Sequence, residues 1–151
     1  RAARAGAASA IEVVRVDPVG DLPATIPSAD LVFLDVPCSG LGTLRRNPEP
    51  RSRRLPAEID EFRRLQLSIL ERWCPRVKPG GRLAYATCSI LRAENEDVAD
   101  AFRGRHPEFV PAASAWAGAN LPAPCAEGGF VRLDPVRTGT DGYFLAMWRR
   151  E

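Results

Sequence analysis

A nearly all-apolar run and a second, mainly apolar run, separated by a stretch that suits one helix, constrain the fold of this chain more than any other feature. The runs are residues 31–36 and 82–87. Between them, residues 57–73 place apolar side chains at helical spacing. A strand, a helix and a second strand of this kind form a parallel unit, and its strands are apolar when both faces of the sheet are covered. The sequence therefore predicts an α/β fold.

Further elements are expected on both sides of this unit. The end of a helix is predicted at residues 1–10, a strand at 11–16, a helix at 93–105, a loop at 111–129 and strands at 130–133 and 143–148. The two closing strands indicate an antiparallel edge. We expect one α/β domain with a Rossmann-like sheet, mostly parallel and with an antiparallel strand at one edge.

The composition excludes several classes of protein. Apolar residues make up 45% of the chain and charged residues 26%, with a formal net charge of +2. These values are ordinary for a globular protein. No apolar run is long enough to cross a bilayer, and the first residues lack the apolar core of a signal peptide. The sequence predicts a cytoplasmic protein that does not bind a membrane.

One loop carries a cluster of positive charge. Five arginines lie within ten residues, at positions 45, 46, 51, 53 and 54, and the only acid among them is Glu49. Such a cluster can follow the phosphates of a nucleic acid. A solvated, arginine-rich loop explains the same residues equally well, so charge alone leaves both interpretations open.

Two of the four cysteines stand at places where α/β proteins bind ligands. Cys38 follows the first apolar run and Cys88 follows the second. The other two cysteines are Cys74 and Cys125, and no two of the four have the C-x-x-C spacing of a zinc site. We therefore expect no metal site. Ligands of open α/β sheets bind beyond the carboxyl ends of the strands. If the two strands are neighbours, Cys38, Cys88 and Asp35 share a cleft; the alternative is that both cysteines are buried structural thiols.

An ordered set of motifs gives the chain a family resemblance. The motifs are DVPCSG at 35–40, RRNP at 45–48, glutamine at 66, PGG at 79–81, YATCS at 85–89, ENE at 94–96 and DGYF at 141–144. In this order and spacing they resemble the Sun/Fmu (NOL/NOP/Sun) family of RNA cytosine-C5 methyltransferases, which depend on S-adenosylmethionine. The resemblance covers nearly the whole chain except residues 111–129.

The resemblance implies roles for individual residues at the reacting base. Cys88 would be the thiolate that attacks carbon 6 of cytosine, and Cys38 would assist release of the methylated product. Asp35 would meet the edge of the cytosine ring and lie close to the cofactor, S-adenosylmethionine. Asp17 would contact the adenine of that cofactor, with Asp21 as an alternative for the same role.

The resemblance also implies a partner and a place within a longer protein. The RNA, expected to be ribosomal RNA, would contact Arg45, Arg46 and Arg51. The family's glycine-rich cofactor loop and the first two strands of its sheet are expected before residue 1. Residues 1–151 would then form the C-terminal portion of a class I methyltransferase catalytic domain, which by itself should bind the cofactor poorly and transfer no methyl group.

Two other functions compete with this interpretation. The first is a non-catalytic RNA-binding module of the same fold, in which the arginine loop matters and the cysteines do not. The second is a thiol hydrolase that uses Cys88 with His106, the only histidine. Such a hydrolase requires the imidazole within hydrogen-bonding distance of the Cys88 sulfur.

Overall fold

The computed structural model describes residues 6, 8–17, 20–46, 56–112, 126–127 and 129–151. The strands are β1 (Ala29–Asp35), β2 (Val77–Thr87), β3 (Phe109–Pro111), β4 (Ala126–Glu127), β5 (Phe130–Leu133) and β6 (Tyr143–Arg150). The helices are α1 (Pro56–Trp73), α2 (Glu96–Arg105) and the single turn α3 (Pro135–Thr138). Short 3-10 turns span Leu41–Thr43 and Arg92–Glu94.

The described strands form one mixed sheet in the order β1-β2-β6-β5-β4, and β3 pairs with β6. The strands β1 and β2 are parallel, with Asp35 opposite Ala86. The strand β6 lies antiparallel to β2, with Phe144 opposite Thr87. The predicted α/β fold with antiparallel strands at one edge is thus confirmed, and the carboxyl ends of β1 and β2 lie side by side.

The helix α1 begins at a proline, whose fixed φ and missing N–H suit the first position of a helix. It covers one face of the sheet, where Val32 and Leu34 of β1 are buried together with Leu70 of α1. On the opposite face of β1, Leu31 and Phe33 are 52% and 57% exposed. The described helices therefore cover one side of β1 only. None of them is both long enough and apolar enough to cross a membrane.

The strand predicted at residues 11–16 is wrong. This stretch has no regular secondary structure, and Val13 is 87% exposed. A β-branched run becomes a strand only when a neighbouring strand accepts and donates its backbone hydrogen bonds, and no described strand pairs with it.

Most of the other predicted helices and strands are present in the structure. The strand at 130–133 is confirmed with its predicted ends. The helices at 57–73 and 93–105 and the strands at 82–87 and 143–148 are confirmed with shifted ends. The strands β3 and β4 occur inside or beside the predicted loop at 111–129, of which residues 113–125 and 128 lie outside the described part. Residues 1–5 of the predicted helix end also lie outside it, and Ala8–Ala10 forms a 3-10 turn.

Three loops meet backbone to backbone beyond the ends of β1 and β2. The Gly42 N–H donates to the Cys88 carbonyl at 2.9 Å, and the Gly142 N–H donates to the Gly42 carbonyl at 2.8 Å. A Cβ added at Gly42 would lie 2.1 Å from the Gly142 oxygen and 2.7 Å from the Cys88 oxygen. Only glycine fits at position 42, because the obstacles are backbone atoms that cannot rotate away.

Replacing Gly42 with alanine should therefore destabilise the chain. Overpacking of this kind costs about 1–3 kcal/mol. Gly104 supplies the matched control, because a Cβ there meets no atom within 4 Å and the residue lies inside α2. Gly104→Ala should stabilise the chain by up to about 1 kcal/mol. Urea unfolding followed by tryptophan fluorescence measures both, and equal midpoints for the two variants would contradict the close contact.

Candidate active site

Two thiols lie in contact where the parallel strands end. Cys38 follows β1 and Cys88 follows β2, and their sulfur atoms are 3.1 Å apart. Both side chains are partly exposed. A cleft beyond the carboxyl ends of neighbouring strands is where an α/β sheet presents ligands to reactive groups. The structure therefore brings the two cysteines together at a position that solvent can reach.

The hydrogen bond between the thiols makes them unequal. The bond that Cys38 donates lowers the pKa of Cys88 to about 7, although burial and the negative charges of Asp35 and Glu94 act in the opposite direction. The same hydrogen bond is the main cause that raises the pKa of Cys38. Near neutral pH Cys38 thus keeps its proton, while a large fraction of Cys88 is the thiolate. The thiolate is the nucleophilic form of cysteine.

Asp35 is the last residue of β1 and is exposed beside this pair. Its charge raises the pKa of Cys88, so the carboxylate is within electrostatic reach of the thiolate. An exposed carboxylate can accept hydrogen bonds from amino or hydroxyl groups of a ligand. The structure therefore groups Asp35 with Cys38 and Cys88.

A buried carboxylate holds the two cysteine loops together. Glu94 Oε2 accepts hydrogen bonds from Ser39 Oγ and Ser89 Oγ, both at 2.5 Å, and Glu94 Oε1 accepts from the Ser39 N–H at 2.8 Å. Ser39 follows Cys38 and Ser89 follows Cys88, and all three partners are fully buried. Each cysteine is thereby fixed through its neighbour to the same carboxylate.

Residues of α1 and β2 also donate hydrogen bonds to Glu94. Gln66 of α1 donates from Nε2 to Glu94 Oε1 at 3.1 Å and to the Pro37 carbonyl at 2.9 Å. The Tyr85 hydroxyl donates to the Glu94 carbonyl at 2.5 Å. Burial raises the pKa of Tyr85, so its hydroxyl remains a donor. Glu94, Ser39, Ser89 and Gln66 together form what we call the Glu94 clamp.

A second buried set of hydrogen bonds fixes the loop after β2. Thr87 Oγ1 donates to Asn95 Oδ1 at 2.6 Å, and Asn95 Nδ2 donates to the Ser89 carbonyl at 3.0 Å. Thr87 and Ser89 are the two residues that flank Cys88. The position of the Cys88 backbone is therefore set on both sides by side chains that water does not reach.

The described part of the arginine loop lies next to this site. Arg45 and Arg46 follow the turn that contains Gly42, and both are exposed. Arg46 forms an ion pair with Asp141, whose side chain is 4% exposed, whereas the Arg46 side chain is 68% exposed. The buried acid thus holds one end of an arginine that still faces solvent. Arg51 lies outside the described residues.

Asp17, Asp21 and His106 are the remaining candidates. Asp17 and Asp21 are exposed in a stretch without regular structure, and their contact with a cofactor remains a prediction. His106 Nδ1 lies 3.9 Å from the Cys74 sulfur and 3.2 Å from Glu108 Oε1. The His106 ring also stacks on a buried phenylalanine of α2. Nothing in this geometry favours a Cys88–His106 hydrolase.

Sequence reasoning did not assign the residues that hold the site. Gln66, Glu94, Asn95 and Asp141 entered only as parts of motifs, without a role. Their burial is the missing information, because a charged or amide side chain is usually exposed unless hydrogen bonds satisfy it. The one signal in the sequence was their position in motifs shared with enzymes whose cysteines react.

Comparison with known proteins identifies the family of this chain. A family described as 16S rRNA methyltransferase RsmB/F matches residues 5–149. The chain is 38% identical over 125 residues to the probable ribosomal RNA small subunit methyltransferase B of Bacillus subtilis, covering 81% of this chain and 28% of that protein. It is 40% identical over 132 residues to the ribosomal RNA small subunit methyltransferase B of Thermus thermophilus, covering 86% and 32%.

Solved structures with the same fold come from Pyrococcus horikoshii. A methyltransferase homolog protein has a TM-score of 0.62 and 29% identity, covering 83% of this chain and 40% of that one. NSun6, crystallised with SFG, has a TM-score of 0.64 and 25% identity, covering 78% and 29%. The chain thus spans under half the length of each of these relatives. The extent of the family match, over nearly every residue, shows that the chain belongs to the 16S rRNA methyltransferase RsmB/F family.

Proposed function

We propose that this chain is the C-terminal portion of the catalytic domain of an RNA cytosine-C5 methyltransferase that acts on ribosomal RNA. The observation that carries the proposal is the 3.1 Å contact between the Cys38 and Cys88 sulfur atoms at the ends of the parallel strands. The ribosomal RNA methyltransferases that resemble the chain support the substrate class. The share of their length that it spans, 28% and 32%, supports a portion of a longer catalytic domain.

Cys88 is the nucleophile in this proposal. Carbon 5 of cytosine reacts poorly with electrophiles until a nucleophile adds to carbon 6 and makes carbon 5 enamine-like. A thiolate does this well, and a pKa of about 7 keeps a large fraction of Cys88 ionised at neutral pH. Forming a covalent bond to carbon 6 divides one difficult substitution into easier steps. The product is released when carbon 5 loses its proton and the thiolate leaves.

Cys38 changes character once Cys88 has reacted. In the free site its proton is held by the neighbouring thiolate, which raises the pKa of Cys38. When Cys88 becomes a thioether, that negative charge and strong acceptor are gone, and the pKa of Cys38 falls. Cys38 can then lose its proton to solvent, and the thiolate that results can accept the proton from carbon 5, which completes release. The contact between the sulfurs thus supports two roles for Cys38. It donates a hydrogen bond to the Cys88 thiolate before the attack, and it acts as a base once Cys88 is bonded to cytosine.

The methyl donor of the family is S-adenosylmethionine, which supplies an electrophilic methyl group on a sulfonium centre. Two residues here suit it by their chemistry. Asp35 is an exposed carboxylate beside Cys88, and Asp17 is an exposed carboxylate that can accept from an adenine amino or a ribose hydroxyl group. Asp35 also stands where it can orient the cytosine ring edge toward Cys88.

The RNA would be held by Arg45, Arg46 and Arg51. Arg46 is oriented by Asp141 while most of its side chain remains exposed, so its outward N–H groups can meet a phosphate. Contacts of this kind position RNA and do not read its sequence. The target cytosine must be unstacked to reach the thiols. Ribosomal RNA as substrate also implies a cytoplasmic protein.

A first test separates the two cysteines in the full-length protein. Cys38→Ala should leave Cys88 bonded to carbon 6 and give a protein–RNA adduct that survives denaturing electrophoresis. Cys88→Ala is the matched control, because it removes a thiol of equal size and should abolish both the adduct and methyl transfer. A tritiated-methyl assay runs in parallel. Normal turnover by Cys88→Ala would refute the nucleophile, and normal turnover without adduct by Cys38→Ala would remove Cys38 from the mechanism.

A second test measures the ionisation of Cys88 in the 151-residue chain. The rate of its alkylation by iodoacetamide should rise with pH and reach half its maximum near pH 7, since the pKa is lowered to about 7. Cys38→Ala removes the hydrogen bond that causes the lowering, so the midpoint should move up toward about 8.5. Cys74→Ala, which changes a distant buried thiol, should leave the midpoint in place. A midpoint near 8.5 in the unmodified chain would contradict the shared proton.

A third test concerns the arginine loop. Alanine at Arg45 and Arg46 should weaken RNA binding and lower the log–log salt slope by roughly 0.7–0.9 for each phosphate that is no longer neutralised. Arg103 and Arg149 provide a control with the same reduction in charge, because both are exposed and each pairs with a nearby acid. Their replacement should leave the slope nearly unchanged. Equal slopes for the two double variants would show that Arg45 and Arg46 do not contact RNA phosphates and belong to a solvated loop.

A further inference from the structure

We propose that Cys38 and Cys88 are also a modification site, at which hydrogen peroxide converts the two thiols into a reversible disulfide. The effect of this bond on methyl transfer rests on the proposed function, whereas the oxidation itself does not. The proposal begins from the same 3.1 Å contact, which joins residues 50 positions apart in the sequence.

The geometry suits a disulfide more than any other contact among the described cysteines. A sulfur–sulfur bond is about 2 Å long, so the two atoms need to approach by only about 1 Å. Both thiols are partly exposed, so a small oxidant can reach them. The Glu94 clamp keeps the two loops together, which means that the resolving thiol is already in place when the first sulfur is oxidised.

The reaction balances with peroxide as the only oxidant. Cys88 loses its thiol proton and attacks one peroxide oxygen as the thiolate, the O–O bond breaks, and the departing hydroxide takes up that proton as water, giving a sulfenic acid at Cys88. The Cys38 sulfur then attacks the Cys88 sulfur, and its proton and the sulfenic hydroxyl depart as water. Two thiols and one peroxide have become one disulfide and two waters. A dithiol reductant reverses the change by thiol–disulfide exchange.

Cys74 provides an internal contrast. It is 3% exposed, and burial raises its pKa to about 11, so it is almost entirely protonated at neutral pH. A lower thiolate fraction slows the attack on peroxide, and a higher intrinsic nucleophilicity offsets part of this decrease. We expect Cys88 to react faster than Cys74 by on the order of a hundredfold.

A disulfide at this site would remove both sulfur atoms that the proposed reaction uses. Cys88 could no longer attack cytosine, and Cys38 could no longer exchange a proton. Because the bond forms within the chain, its formation is independent of protein concentration. Peroxide would therefore switch methyl transfer off, and a thiol reductant would restore it without new protein synthesis.

The test uses the 151-residue chain, treated with peroxide at pH 7, blocked with N-ethylmaleimide and digested with trypsin. Cys38 lies in the tryptic peptide 16–45, Cys88 in 83–92, Cys74 in 73–76 and Cys125 in 106–132. The expected product links peptides 16–45 and 83–92, is lighter than their sum by two hydrogen atoms, and separates on reduction. Cys74 should remain open to the maleimide.

Two variants show whether proximity causes the bond. In Cys38→Ala, Cys88 should be oxidised without a partner and gain two oxygen atoms as a sulfinic acid. In Cys74→Ala, the linked peptides should form at the rate of the unmodified chain. Circular dichroism of each variant shows that the fold is retained. If Cys88 of the unmodified chain gains oxygen while Cys38 remains alkylatable, or if only disulfides between chains form, the proposal is wrong.

The same treatment of the full-length enzyme separates this proposal from the proposed function. If methyl transfer is abolished when the peptides become linked and recovers on reduction, the disulfide proposal and the proposed function are both supported. If the peptides become linked while methyl transfer is unaffected, the modification stands and the catalytic roles of Cys38 and Cys88 fail. If activity depends on Cys88 but no intramolecular link forms at any peroxide concentration, the modification fails alone.

Discussion

The arrangement of the site depends on one buried carboxylate. Glu94 accepts hydrogen bonds from residues that follow both β1 and β2, and from α1 through Gln66. A buried charge is costly unless its hydrogen-bonding capacity is used, and here both oxygens are used twice. The backbone hydrogen bond from Gly42 to the Cys88 carbonyl joins the same two loops. Because one carboxylate bridges them, the two cysteines remain close enough to share a proton.

The features that the sequence predicts correctly are those set by short-range periodicity and chain direction. The apolar runs at 31–36 and 82–87 were recognisable as strands, and the helical spacing at 57–73 as the crossover between them. Parallel strands joined by one helix are usually neighbours, and their carboxyl ends then meet at one edge of the sheet. The meeting of Cys38 and Cys88 follows from this topology, and no contact needed to be known in advance.

The features that the sequence did not predict depend on long-range pairing or burial. Residues 11–16 have the composition of a strand, but composition carries no information about whether a partner strand is present. Glu94 looks like a surface acid until the fold brings Ser39, 55 positions away in the sequence, to it. The glycines at 42 and 142 look like ordinary loop residues, and only their contact reveals that no side chain fits between them.

The glycine contact has a structural consequence. From Asp141 the chain passes to Gly142, whose amide binds the Gly42 carbonyl, and the Gly42 amide in turn binds the Cys88 carbonyl. These links are made by peptide groups alone, so no side chain has to reorient for the three loops to stay in contact. Asp141 also forms the ion pair with Arg46. Arg46 at the surface is thus connected to the Cys88 backbone through one ion pair and two backbone hydrogen bonds, without any side chain between Asp141 and Cys88.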